Sequence, residues 1–210
     1  AGWMPDLARL AAAARTLLPP GAGVAARDPR ADHPAFPGEG ITAIPSRNRE
    51  FRAGRAAARA AMAALGLPQV AIPMRPDRAP DWPPGLSLSI THSASACLAA
   101  VLPGARGLGL DIEPDRPLPP DLWETVLSAT EQATHGPDAM AVFAAKEAAY
   151  KAQYPVSEAL FDFQTLAIVL TPGAFRATFC LSVPGFPAGS VIAGRWSRAE
   201  GHILAAAVIG

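Results

Sequence analysis

The sequence predicts an α+β fold of two similar-sized lobes. Three observations predict it: a second half in which one long helical segment is followed by a series of strand-like segments, a first half with its own amphipathic helix and strands, and a length of 210 residues, half of them hydrophobic, that can bury a substantial core in one large or two small units. The lobes are expected to meet near Arg106, giving an N-terminal lobe over 1–106 and a C-terminal lobe over 107–210.

The elements follow in order. A first helix is expected over residues 6–18, closed by Pro19 and Pro20. Residues 20–45, rich in Pro, Gly and charge, read as irregular surface structure. The segment 49–66, REFRAGRAAARAAMAALG, reads as a helix in which Arg52, Arg55 and Arg59 share one face beside an apolar stripe of Phe51, Ala58, Met62 and Leu65. One side is thus expected to pack while the other meets anions. A proline-rich loop covers 68–84, a strand leads to Ser89, and a short helix is expected to begin near Thr91. Residues 96–102 and 107–112 read as strands joined by a Pro-Gly turn. Asp121 and Glu124 have the spacing of a capping box opening a helix through about Gln132. Residues 139–154 contain neither Gly nor Pro and read as a helix. Strands are expected over 161–170, 175–183, 191–197 and 203–209.

Chemistry concentrates in three segments: Thr91 and His92 in SITHSASACLAAV, Asp111 and Glu113 in GLGLDIEP, and Lys146, Glu147 and Lys151 in FAAKEAAYKA. In the middle segment Leu108, Leu110 and Ile112 alternate with Gly109, Asp111 and Glu113, so the two acids share one face of a strand with Ile112 on the core side. Glu147 and Lys151, four apart on a helix, point the same way, and alone they would amount to a surface ion pair worth a few tenths of a kcal/mol. Three carboxylates, two ammonium groups and an imidazole together are the inventory for holding a divalent cation on a pyrophosphate and activating a hydroxyl against it. Asp111 and Glu113 are the expected metal ligands, with Glu147 as a third ligand or a base.

Composition narrows the classes further. A formal charge of zero argues against a general nucleic-acid binder despite the local arginines. Cys97 and Cys180 do not suggest a disulfide framework, and Cys97 in an apolar run reads as a buried residue. With no secretory pattern and no apolar run long enough to span a bilayer, the expectation is a soluble, cytoplasmic monomer that engages no membrane.

The order Thr-His-Ser, then Gly-x-Asp-Ile-Glu, then Phe-x-x-Lys-Glu-x-x-Tyr-Lys-Ala resembles the 4′-phosphopantetheinyl transferases of the surfactin-synthetase and enterobactin-synthetase type. These move phosphopantetheine from coenzyme A to a serine of a carrier protein. The arginine-rich helix, the loop MRPDRAPDWPPG and the closing GRWSRAEGHILAAAVIG resemble the enterobactin-type subgroup, so the likeness runs from about Arg47 to the C-terminus. Ala148 departs from the serine that many relatives carry there.

The resemblance implies several further things. The two lobes would have a pseudo-twofold relation, with the active site in the cleft between them. Arg47, Arg55, Arg75 and His92 would bind coenzyme A phosphates, joined by Thr91, Lys146 and Lys151; Arg78 competes with Arg75 for the nucleotide. Mg²⁺, with Mn²⁺ as its alternative, would be held by Asp111, Glu113, Glu147 and the Ile112 carbonyl. The catalytic candidates are Glu147, as base toward the carrier serine directly or through a metal-bound water, Lys151, which would protonate or stabilise the leaving phosphate oxygen, and His92. The expected partners are apo acyl or peptidyl carrier domains, with siderophore, polyketide, peptide and fatty-acid systems all open. Two other readings compete: a non-catalytic module that binds coenzyme A or carriers, and a metal-dependent pyrophosphate hydrolase.

Overall fold

CLAAVL is a continuous apolar run, and a strand of that kind must be covered on its faces and paired along its edges. The computed structural model, which describes residues 4–210, builds its first unit around it. The chain divides into two units, Ala1–Ala105 and Arg106–Gly210.

In the first unit, α1 (Leu7–Thr16) is capped by Asp6, whose Oδ1 accepts from the backbone N–H groups of Ala8 and Arg9 at 3.0 Å. β1 (Gly23–Arg27), α2 (Pro45–Ala64), β2 (Leu86–His92) and β3 (Cys97–Pro103) follow. The sheet order is β1-β3-β2, antiparallel throughout. α2 packs Ala57, Ala58, Ala61 and Met62 onto Leu88, Ala99 and Val101.

Two expectations fail here. The segment 20–45 is not wholly irregular, because β1 lies within it, pairing Val24 with Ala100 and Ala26 with Leu98. The free edge of β3 supplies partners that local Pro and Gly content cannot reveal. Nor does a helix begin near Thr91. β2 runs on to His92, and the chain turns back at once, with Ser93 Oγ accepting from the backbone of Ser95 and Ala96.

The second unit is a five-stranded antiparallel sheet under one long helix. Its strands are β4 (Gly107–Pro114), β5 (Leu166–Thr171), β6 (Ala174–Phe179), β7 (Val191–Ala199) and β8 (His202–Ile209), in the order β4-β8-β7-β6-β5. Between β4 and β5 lie α3 (Trp123–Val126), α4 (Ala129–His135) and α5 (Ala139–Ser157). The core joins Ala141, Ala144, Ala145 and Ala148 of α5 to Phe175, Ala177, Ile203 and Ala205 of the sheet.

The approach of α5 to β4 is set by glycine. A Cβ on Gly109 would lie 1.8 Å from the Ala148 carbonyl oxygen, and one on Gly107 1.9 Å from that of Ala152, so only glycine lets the helix backbone settle on this strand. Asp111 and Glu113 continue the same strand face toward the helix. Leu108, Leu110 and Ile112, on the opposite face, are also buried.

The expected capping box at Asp121 and Glu124 is replaced by one at Ser128 and Glu131. α3 is a single turn, Leu127 is extended and buried, and Ser128 restarts the chain as α4. The need to bury Leu127 breaks what would otherwise be one helix. α5 runs through Pro155 to Ser157, one turn beyond the expected end. β5 begins at Leu166 instead of near 161, because the preceding residues form a loop with Phe161 and Phe163 turned toward the core cluster. β6 stops at Phe179.

Candidate active site

In the first unit a groove is lined by Arg47, Arg55, Arg78, Thr91 and His92, among others. Arg47 Nη1 donates to Glu50 Oε2 at 3.0 Å and to His92 Nε2 at 2.7 Å, so the first turn of α2 and the end of β2 are tied together at the groove. Arg55 is only 6% exposed. Its Nε donates to the Ile72 carbonyl at 3.0 Å, its guanidinium lies 3.9 Å over the Phe51 ring, and its Nη2 has no partner. Burial lowers its pKa to about 10, with Glu39 opposing the shift, which leaves it charged at neutral pH. A buried cationic N–H without an acceptor is costly, and an anionic ligand would supply what is missing.

The arginine face of α2 is not a uniform anion reader. Arg59 is buried, ion-paired with Glu39, bonded to the Pro34 carbonyl and stacked over Phe36, while Glu39 also accepts from Ile72 N at 2.9 Å. Arg59 therefore pins the 34–39 segment onto the helix. Arg52 is exposed. In the loop before β2, Arg78 lines the groove and adopts a left-handed φ of 70°, whereas Arg75 lies 3.3 Å from Asp77.

In the second unit the acids gather between β4 and α5. Lys151 Nζ donates to Asp111 Oδ1 at 2.6 Å and to the Leu110 carbonyl at 3.2 Å. Burial pushes Glu113 from 4.5 to about 7, and the neighbouring charges of Asp111 and Glu147 add to that rise against the pull of Lys151. Burial likewise raises Glu147, with Asp111 adding and Lys151 opposing. Burial alone would lower Lys151, but Asp111, Glu147 and Glu113 outweigh it and hold the ammonium charged. One ammonium thus sits among three carboxylates, with Arg116 also acting on Glu113.

Lys146, expected to meet substrate charge, is placed otherwise. Its ammonium is 1% exposed and donates to Glu131 Oε2 at 2.9 Å, the Val126 carbonyl at 2.7 Å and the Phe163 carbonyl at 2.9 Å. Those contacts use all three of its hydrogens. Lys146 and the adjacent Glu147 line a pocket whose other walls are Tyr150, Phe161, Asp162, Phe163 and Leu166. The Phe161 ring meets Tyr150 edge-on at 5.1 Å.

A divalent metal can be tested against this donor set. Among the described residues no three His, Cys, Asp or Glu side chains form a ready cage for an ion. Mg²⁺ does not require one, since it commonly takes one or two carboxylates and completes its shell with water and substrate phosphate. The donors are hard oxygens, and the burial that chiefly lifts Glu113 and Glu147, with repulsion from Asp111 adding to it, disfavours their charge in a way a cation would offset, so the residues fit Mg²⁺.

A family model described as the 4′-phosphopantetheinyl transferase N-terminal domain matches residues 40–102, and one described as the 4′-phosphopantetheinyl transferase superfamily matches residues 107–205. The chain is 36% identical over 184 residues to 4′-phosphopantetheinyl transferase Svp of Streptomyces mobaraensis, covering 80% of this chain and 74% of that protein.

The chain belongs to the 4′-phosphopantetheinyl transferase superfamily.

Two further transferases agree. Npt of Nocardia iowensis is 33% identical over 198 residues, covering 83% of this chain and 87% of its own length, and PptT of Mycobacterium tuberculosis is 30% identical over 183 residues, covering 79% and 81%. Beyond the expected residues, the transferase's structure brings in Glu50, Glu131, Tyr150, Phe161 and Phe163. Glu131 had a signal in the sequence, the Ser-x-x-Glu spacing from Ser128. The aromatic wall had none, because its members come from separate segments. No helix among the described residues is long and apolar enough to cross a membrane.

Proposed function

We propose that this transferase moves the phosphopantetheine arm of coenzyme A onto a serine of an apo acyl or peptidyl carrier domain and releases adenosine 3′,5′-bisphosphate. The observation that carries the reading is the arrangement of Glu147 and Lys151, one helical turn apart on α5 and electrostatically coupled to Asp111 and Glu113 on β4. The base and the leaving-group cation thus lie among the acids suited to a pyrophosphate-bound metal.

The serine hydroxyl is a weak nucleophile at neutral pH and needs a base. Glu147, made more basic by burial, takes its proton as the serine oxygen forms a bond to the β-phosphorus. The bond from that phosphorus to the bridging oxygen breaks, and the bisphosphate departs with the electron pair. Lys151, kept charged by its neighbours, donates to the departing phosphate oxygen. Asp111, Glu113, Glu147 and the Ile112 carbonyl would hold Mg²⁺, which supplies charge neutralisation for the pyrophosphate.

The nucleotide phosphates are assigned to the groove of the first unit, where Arg55 Nη2 lacks an acceptor and Arg47, Arg78 and His92 add donors. The pocket beside Glu147, about 130 Å³, is small for a whole ligand and suits one slender arm, and its aromatic wall fits the apolar part of pantetheine.

The test is whether bisphosphate release depends on the acceptor. Purified protein with coenzyme A and Mg²⁺ should release adenosine 3′,5′-bisphosphate only when an apo-carrier is added. Release without a carrier would support a hydrolase, and binding with no release under any condition a non-catalytic module.

A further inference from the structure

Glu131 and Lys146 form a buried ion pair, 2% and 1% exposed, outside the set of acids that face Lys151. Every donor and acceptor of the pair is engaged. Glu131 Oε2 takes hydrogen bonds from Ser128 N at 2.7 Å and Lys146 Nζ at 2.9 Å, and its Oε1 takes one from Ile168 N at 2.7 Å. The Lys146 ammonium reaches on to the carbonyls of Val126 and Phe163. Two side chains thus join the end of α3, the cap of α4, the middle of α5, the loop before β5 and β5 itself.

Buried ion pairs are a poor source of net stability, because desolvation cancels most of the attraction, but they are directional and fix the groups they touch. Here the groups touched lie around one place. Lys146, Phe163 and Leu166 all line the pocket beside Glu147, and Ile168 is two residues past Leu166. An ammonium with three tetrahedral hydrogens can hold three acceptors in a set geometry, which no apolar side chain of the same volume can do.

We propose that Glu131 and Lys146 are a positioning pair for the transfer reaction: Glu131 holds the Lys146 ammonium, which fixes the Phe163 carbonyl and so sets the wall of the pocket that receives the pantetheine arm. The proposal rests on the reading of that pocket given above. Neither residue touches the reacting atoms. Their effect runs through Phe163, so it should fall on binding of the arm and spare the nucleotide end of coenzyme A.

The experiment compares Glu131→Gln, Lys146→Met, the double variant and Phe161→Ala for steady-state kinetics with coenzyme A, for calorimetric affinity toward adenosine 3′,5′-bisphosphate, and for melting temperature. Glu131→Gln turns an amide N–H₂ toward donors and should release Lys146. It and Lys146→Met should each raise KM for coenzyme A about tenfold or more, the range seen when supporting contacts of a site are removed. kcat should change by much less, bisphosphate affinity should be unchanged, and the double variant should be no worse than the singles. If Lys146→Met abolishes turnover while Glu131→Gln behaves as wild type, Lys146 acts on substrate directly and the proposal is wrong. It is equally wrong if the variants melt lower with unaltered kinetics. Should Lys146→Met not fold, Glu131→Gln decides alone by its KM. Phe161→Ala separates the two claims: if it leaves KM unchanged, the pocket reading has failed, and if it raises KM while Glu131→Gln does not, only the positioning pair has.

Discussion

Lys151 Nζ lies 2.6 Å from Asp111 Oδ1, a contact that ties α5 to β4 and places the ammonium paired with Asp111 on the same helix face as Glu147. Asp111 is nearly fully buried, so removing the ammonium takes the opposing charge from a carboxylate that water reaches poorly. Lys151→Met should destabilise the fold by about 1–3 kcal/mol, the cost of taking a partner from a buried polar group, since the ammonium itself is partly exposed. Lys151→Arg keeps the charge and should recover most of that stability without recovering transfer. Urea unfolding and a transfer assay on the two variants check both halves of the statement.

Glu147→Gln keeps the size of the side chain and removes its basicity and charge. The melting temperature should hold, and the transfer rate should fall by at least about 100-fold, the low end of what a positioned general base contributes. Near-normal turnover in this variant would remove Glu147 from the mechanism.

At the nucleotide end, Arg55 is the residue whose surroundings most need an anion. Arg55→Leu should weaken coenzyme A binding by about 1.5–3 kcal/mol, the range for a hydrogen bond to a charged group. A comparison with dephospho-coenzyme A by calorimetry identifies which phosphate is read. If Arg55 meets the 3′-phosphate, the variant binds both compounds alike; unchanged affinity for both would mean that the groove does not bind the nucleotide.

The raised Glu113 gives a pH dependence with a definite sign. Because its folded value, about 7, lies above the ordinary 4.5, the folded state holds the proton more tightly than the unfolded chain. That contribution is fully present below the unfolded value and is lost as pH rises through about 7. Without metal, unfolding free energy should therefore decline between about pH 5 and pH 8, and Glu113→Gln should flatten the decline. Mg²⁺, which competes with the proton, should stabilise most at the upper end. Parallel pH profiles for wild type and variant would contradict this.

Gly109 has no room for a side chain: its Cβ would sit 1.8 Å from the Ala148 carbonyl oxygen, and backbone cannot move aside as a flexible side chain can. Gly109→Ala should cost about 1–3 kcal/mol or more of stability. It should also reduce transfer, because α5 carries Glu147 and Lys151. A variant that melts normally would show that α5 packs on β4 less closely.

Much of the site could be read from the chain, because its residues lie in regular elements. Period two put Asp111 and Glu113 on one strand face, and period 3.6 put Glu147 and Lys151 on one helix face. What could not be read depended on contacts distant in sequence. β1 forms because β3 has an edge to fill. Arg59 is taken up by Glu39, twenty residues earlier, and Lys146 by Glu131, so cations that looked available for phosphate are spent inside the fold. The helix break at Leu127 follows from burying that side chain, which moved the capping box from Asp121 to Ser128. The aromatic pocket draws on α5 and the loop before β5, and no single stretch announces it.

Covalent transfer leaves its mark on the carrier, where intact-protein mass spectrometry reads it. Several apo-carriers, from peptide and polyketide synthases among others, are incubated with the protein, coenzyme A and Mg²⁺, each beside a control whose acceptor serine is alanine. At least one carrier should gain the mass of a single phosphopantetheine group, its alanine control should gain nothing, and EDTA or Glu147→Gln should stop the gain. Consumption of coenzyme A with no mass gained by any carrier, or a gain that persists on the alanine control, would contradict transfer to the serine.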